Sequence, residues 1–152
     1  MRTTSAHGSF ALLAAAAVMA LAGGTAHAEG KDKSVIGTYQ VKYVEVANNC
    51  TSTGMALTTG TLDIKPGKSG ISVDIERMPL MLGKAGKTGR VNATSKLGPT
   101  SIQGLDGKFS VAGKVDDGVL SLVFIAEYYL GRRALCTQSW NVSGVNVAEL
   151  DK

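Results

Sequence analysis

Leu62-Asp63-Ile64-Lys65-Pro66-Gly67-Lys68-Ser69-Gly70-Ile71-Ser72-Val73-Asp74-Ile75-Glu76 alternates apolar and polar side chains on both sides of a proline–glycine break. Period-2 alternation sends every second side chain to one face, the mark of a strand with one side buried and one side wet. Lys65-Pro66-Gly67-Lys68 supplies the reversal, because proline presets φ at the first corner and glycine accepts the conformation that follows. The segment reads as a β-hairpin.

The same pattern returns downstream. Phe109-Ser110-Val111-Ala112-Gly113-Lys114-Val115 turns at Asp116-Asp117-Gly118 and comes back from Val119 to Tyr129. This returning strand is apolar on both faces, with Leu120, Leu122 and Phe124 on one and Val119, Val123 and Ile125 on the other. Such a strand is expected to be covered on both sides or to face a partner. An opening strand, about 35–46, carries Tyr39, Val41 and Tyr43 in phase and then shifts to Val44 and Val46, which points to a β-bulge or double coverage. A closing strand, about 134–145, places Cys136, Gln138, Trp140 and Val142 on one face. Seven or eight short strands without a helix predict an all-β fold, a small antiparallel up-and-down barrel, with a two-sheet β-sandwich as the alternative.

Residues 1–28 have a different composition. A single cation, Arg2, precedes the uncharged run Phe10 to Ala22, and Ala26-His27-Ala28 follows a Gly-Gly break. A positive start, a short apolar core and an A-x-A end are the three parts of a cleavable secretory signal. The apolar run is too short for a membrane-spanning helix, which needs about 20 residues. The expected mature protein is one domain, residues 29–152, exported to a periplasmic or extracellular space. Fifteen of the sixteen basic residues and all twelve acidic ones lie in it, a net charge of +3. That is short of the basic excess of a nucleic-acid binder.

Both histidines, His7 and His27, fall in the signal. A mature chain without histidine has no Ser-His-Asp or Cys-His catalysis and no histidine-ligated metal. No enzyme activity, cofactor or metal is therefore expected. The two cysteines, Cys50 and Cys136, are expected to form one disulfide in an oxidising compartment. Cys50 follows the end of the first strand and Cys136 opens the last. Antiparallel pairing of those two strands brings the positions together and closes a meander into a barrel.

Gly37-Thr38-Tyr39, at the start of the first strand, resembles the G-x-W that opens the barrel of lipocalins and their calycin relatives, with tyrosine replacing tryptophan. The resemblance implies a ligand-binding barrel, with Arg132 or Arg133 as the late basic residue that packs over the aromatic ring. The expected function is non-catalytic binding of a small, partly apolar ligand in an interior cavity lined by Tyr39, Val41, Tyr43, Phe124 and Trp140. The competing reading of Trp140 is a core anchor beside the disulfide.

A second candidate is the stretch 78–96. Met78, Leu80, Met81 and Leu82 surround Pro79, and Lys84, Lys87, Arg90 and Lys96 follow, with no acid between Glu76 and Asp106. The alternative function is an interaction module that docks on an envelope component or a protein through this loop. Its competing reading is a plug, with the apolar side chains closing one barrel end and the lysines solvated. Gly86-Lys87-Thr88 is not a phosphate-binding loop, since the required glycine is Met81. Glu127 is expected in a strand-end ion pair with Arg132 or Arg133.

Overall fold

A computed structural model describes residues 34–152, and the expected signal with its two histidines lies outside the described residues. The strands are β1 (Gly37–Asn48), β2 (Thr59–Gly67), β3 (Gly70–Ile75), β4 (Met81–Ala85), β5 (Arg90–Thr94), β6 (Gly98–Pro99), β7 (Leu105–Asp116), β8 (Val119–Leu130) and β9 (Arg133–Asn146). A short helix, α1 (Val147–Leu150), follows.

All pairings are antiparallel. Each strand from β1 to β5 pairs with the next; β5 then pairs with β7, and β7, β8, β9 and β1 complete a closed ring. The ring has eight strands, and the ninth, β6, is two residues that extend the edge of β7 beyond β5. Ser95 separates β5 from β6. Its hydroxyl accepts from the Phe109 amide at 2.9 Å, in place of a ladder bond.

The first strand meets the last from Tyr39↔Asn146 to Asn48↔Gln138. The ladder slips between Glu45 and Ala47, the bulge announced by the Val44/Val46 phase change. Asp117 (φ +47°) and Gly118 (φ +77°) form the two-residue β7–β8 turn. Left-handed conformations at both positions match the right-handed twist of the flanking strands. Inward-facing Gly83 and Gly113 sit where barrel strands run closest. A Cβ on either would collide with a neighbouring strand's carbonyl, Asn92 and Ser121 respectively.

The alternating inward residues of eight strands make one core, from Leu62, Ile64 and Val73 to Leu120, Phe124 and Trp140. Of the two alternatives expected for β8, coverage by its own chain on both faces fails. Val119 and Val123, on the outer face of β8, are 53 % and 40 % exposed, so no element of the described chain covers that face. Closing the ring gives β8 a neighbour on each edge, and the strand's outer surface stays open.

The two ends of the barrel differ. One gathers residues 34–36, the β2–β3, β4–β5 and β7–β8 turns and α1. The other, the mouth, gathers residues 49–58, the β3–β4 turn (76–80), residues 95–104, the β8–β9 turn and the disulfide.

Candidate ligand site at the disulfide-tied mouth

Residues 49–58 cross the mouth as a strap. Cys50 and Cys136 are joined, with Cα atoms 5.2 Å apart, at the register position that first-to-last pairing anticipates. Asn49 adds two bonds to Thr137, its side-chain oxygen accepting from the amide (2.7 Å) and its own amide donating to the carbonyl (3.2 Å). Farther along, Gln138 Oε1 accepts from the Met55 amide at 2.7 Å, while Nε2 donates to the Met55 carbonyl (3.1 Å) and to Glu45 Oε2 (2.9 Å). Gln138 is a buried polar residue on the inner face of β9, and these bonds satisfy its amide where an unpartnered one would be costly. Met55 and Leu57 are thereby turned down onto the core.

Beneath the strap the interior is filled, which corrects the expected interior cavity. Tyr39 and Phe124 expose 0 % of their surface and Trp140 1 %, so no void that admits a water adjoins them. A ligand-sized space cannot be lined by such residues. Val41 is buried in the same cluster. Phe124 and Trp140 stack at 5.3 Å between ring centroids, and the rings of Tyr43, Phe124, Phe109 and Tyr128 follow one another across the barrel at 6.5, 6.2 and 6.2 Å. Trp140 is a core anchor. The hydroxyl of Tyr39 is spent locally, donating to the Val35 carbonyl at 2.8 Å.

Space opens above this aromatic row. A cavity of about 420 Å³ lies between the strap and the loops facing it, with Met55, Leu57, Met78, Ile102, Phe109 and Tyr128 in its lining. A polar recess of about 280 Å³ lies on the other side of Ala56-Leu57 and reaches Tyr43. Arg77 borders both spaces. Its backbone is left-handed (φ +66°), a conformation non-glycine residues adopt at a cost of about 1 kcal/mol. The reversal there lets the Met78 amide donate back to Ile75 (2.9 Å) and brings the Met78 side chain against the core.

Two buried side-chain polar atoms have no hydrogen-bond partner among the described residues, the hydroxyls of Tyr43 and Tyr128. Both belong to the mouth, one beside each space. Burial pushes the Tyr43 phenol up to about 12 and raises that of Tyr128 as well, so both stay protonated and remain donors at neutral pH.

The residues of the expected docking loop do not act as one loop. Met78 lines the mouth cavity, and Leu80 and Leu82 stand exposed beside an adjoining groove of about 580 Å³ with Lys96 and Leu97. Met81 is wholly buried in the core, the plug half of that expectation. Lys84 and Arg90 face outward from β4 and β5, and Lys87 sits in the turn at the opposite end of the barrel. Gly83 occupies an inward position of β4 and erases its apolar alternation, so the sequence there carries no strand signal.

Two further corrections follow from position. Arg132, in the β8–β9 turn, and Arg133, which opens β9, are exposed, whereas Tyr39 meets Asn146 at the far end of β9, so neither arginine packs over that ring. Glu127 accepts from the Tyr129 hydroxyl (3.4 Å) and pairs with neither Arg132 nor Arg133 among the described residues. The sequence held one signal for the strap: Gln138, a lone polar residue in phase with Cys136 and Trp140 on a buried face. No group of three His, Cys, Asp or Glu residues is placed to hold a metal among the described residues. Comparison with protein families, with curated proteins and with solved structures returns no match for this chain.

Proposed function

We propose that the protein is an exported, non-catalytic binding protein that takes a small, partly apolar ligand at the mouth of its barrel. The observation that carries the reading is the 420 Å³ cavity, within the size range of small-molecule sites, with a mixed but mainly apolar lining and a tyrosine whose hydroxyl is unpartnered. Export is supported by the signal-like residues 1–28 and by the disulfide; no helix among the described residues is long and apolar enough to cross a membrane. The lipocalin-like start at Gly37-Thr38-Tyr39 agrees with a binding barrel whose site lies at the mouth.

The test uses methionine methyl NMR with α-methylstyrene as an apolar probe. Met55 and Met78 line the cavity while Met81 is buried in the core and serves as an internal reference. Saturable shifts at Met55 and Met78, without change at Met81, are expected. Absence of saturable shifts at Met55 and Met78 overturns the reading.

The second reading, an interaction module, draws on the exposed Leu80, Leu82 and Leu97 around the neighbouring groove with Lys96. It predicts that Leu80→Asp with Leu82→Asp abolishes retention on envelope fractions. Unchanged retention rules it out.

A further inference from the structure

We propose that the mouth cavity recognises a neutral, ring-sized apolar molecule bearing a carbonyl oxygen, and that this oxygen accepts the hydrogen bond that Tyr128 leaves unmade. The inference rests on the binding reading above and names the chemistry of its ligand.

Tyr128 is 3 % exposed, lies on the inner face of β8 and contributes to the cavity wall. Its hydroxyl has no hydrogen-bond partner among the described residues and is shut off from water in this conformation. A buried donor left unmade costs on the order of 1–3 kcal/mol, which phenylalanine would avoid at the same position and nearly the same volume. A hydroxyl kept at that cost beside an open cavity is accounted for by a partner that arrives from the cavity.

The remaining lining narrows the class. Phe109, whose ring meets that of Tyr128 at right angles at 6.2 Å, adds a second aromatic ring to the lining. Met55 and Met78 are unbranched thioethers with three rotatable bonds each, able to withdraw and uncover what lies behind them. Arg77 is the only charged residue in the lining; its guanidinium is largely exposed at the rim and already 3.7 Å from Glu76. An ionised ligand would lose its hydration here without gaining a buried counter-charge, so the fitting ligand is neutral. A protonated phenol is a donor, and a carbonyl is the simplest neutral acceptor. The second unpartnered hydroxyl, Tyr43, borders the smaller recess lined by Thr58, Thr59, Thr61 and Glu76, which offers less apolar wall to the same ring.

The experiment titrates the intact protein with acetophenone and with α-methylstyrene, which replaces C=O by C=CH₂ at nearly constant shape. Tyr128→Phe is expected to weaken acetophenone about tenfold, the worth of one hydrogen bond, and to leave α-methylstyrene unchanged. The free Tyr128→Phe protein is expected to melt at the wild-type temperature or above. If α-methylstyrene binds and acetophenone is insensitive to Tyr128→Phe, the carbonyl assignment is overturned while the binding reading stands. If neither probe binds wild type, both fall. A melting temperature lowered by several degrees would show that the hydroxyl has a partner in the free protein, and this too overturns the inference.

Discussion

The two ends of this barrel solve the same problem, reversing strands, by opposite means. At the turn end, Asp117-Gly118 closes β7–β8 in two residues through local backbone preference. At the mouth, β1 and β2 are joined by a ten-residue crossing held by partners more than eighty positions away: Cys136, Thr137 and Gln138. The turn end also has a space, about 350 Å³ beside residues 34–36 and Lys87, but no unpartnered buried hydroxyl belongs to it. Both such hydroxyls belong to the mouth, where the strap is suspended from a few fixed points over a space of about 420 Å³. The long-range ties and the unpartnered hydroxyls thus share one end of the barrel.

Removing the tie is the most severe way to break this contrast. Replacing Cys50 and Cys136 together by alanine should lower stability by about 4–5 kcal/mol, the loop-closure value for partners 86 residues apart, in chemical denaturation. Hydrogen exchange should accelerate first at Met55 to Thr58 and only later at the β7–β8 turn. Equal acceleration at both ends would show that the mouth is not a separate unit.

Gln138→Ala tests the other suspension point. It leaves the Met55 amide and carbonyl without side-chain partners and should cost about 2 kcal/mol, less than full burial would because the strap can reach water. The disulfide should remain intact and the α-methylstyrene shifts at Met55 should broaden or vanish. Smallest is a change at the turn end. Gly118→Ala forces a Cβ into a left-handed position (φ +77°) against Glu149, at about 1–2 kcal/mol, and should leave probe binding untouched. Loss of binding in that variant would merge the two ends into one cooperative structure.

What could be read from the sequence follows the same division. The hairpin around Pro66-Gly67, the Asp117-Gly118 reversal and the bulge near Val44 are local, and each is written in a few adjacent residues. First-to-last pairing was legible because two cysteines marked it. The short strands β4 and β5 were hidden, since Gly83 and Ala93 give little apolar signal at inward positions. The expected interior site failed for a steric reason: an eight-stranded ring leaves an interior about as wide as its own side chains, and here the rings of Tyr39, Phe124 and Trp140 occupy it. The mouth is not legible in the sequence because its strap, with Thr51-Ser52-Thr53-Gly54-Met55-Ala56-Leu57 at its centre, has no periodicity, and a missing hydrogen bond leaves no trace there.

The closed ring also dictates an order of events during folding. β1 has no second neighbour until β9 is present, and Cys50 has no partner until the chain extends to Cys136. A chain that emerges N-terminus first must therefore wait with its opening strand half-paired, while the hairpins within 59–130 can form as soon as they appear. Contacts of such long sequence separation are the slow ones to make. Closure, disulfide formation and assembly of the mouth should be one late step, so a chaperone or thiol oxidase would find its substrate to be a nearly finished sheet with one open seam.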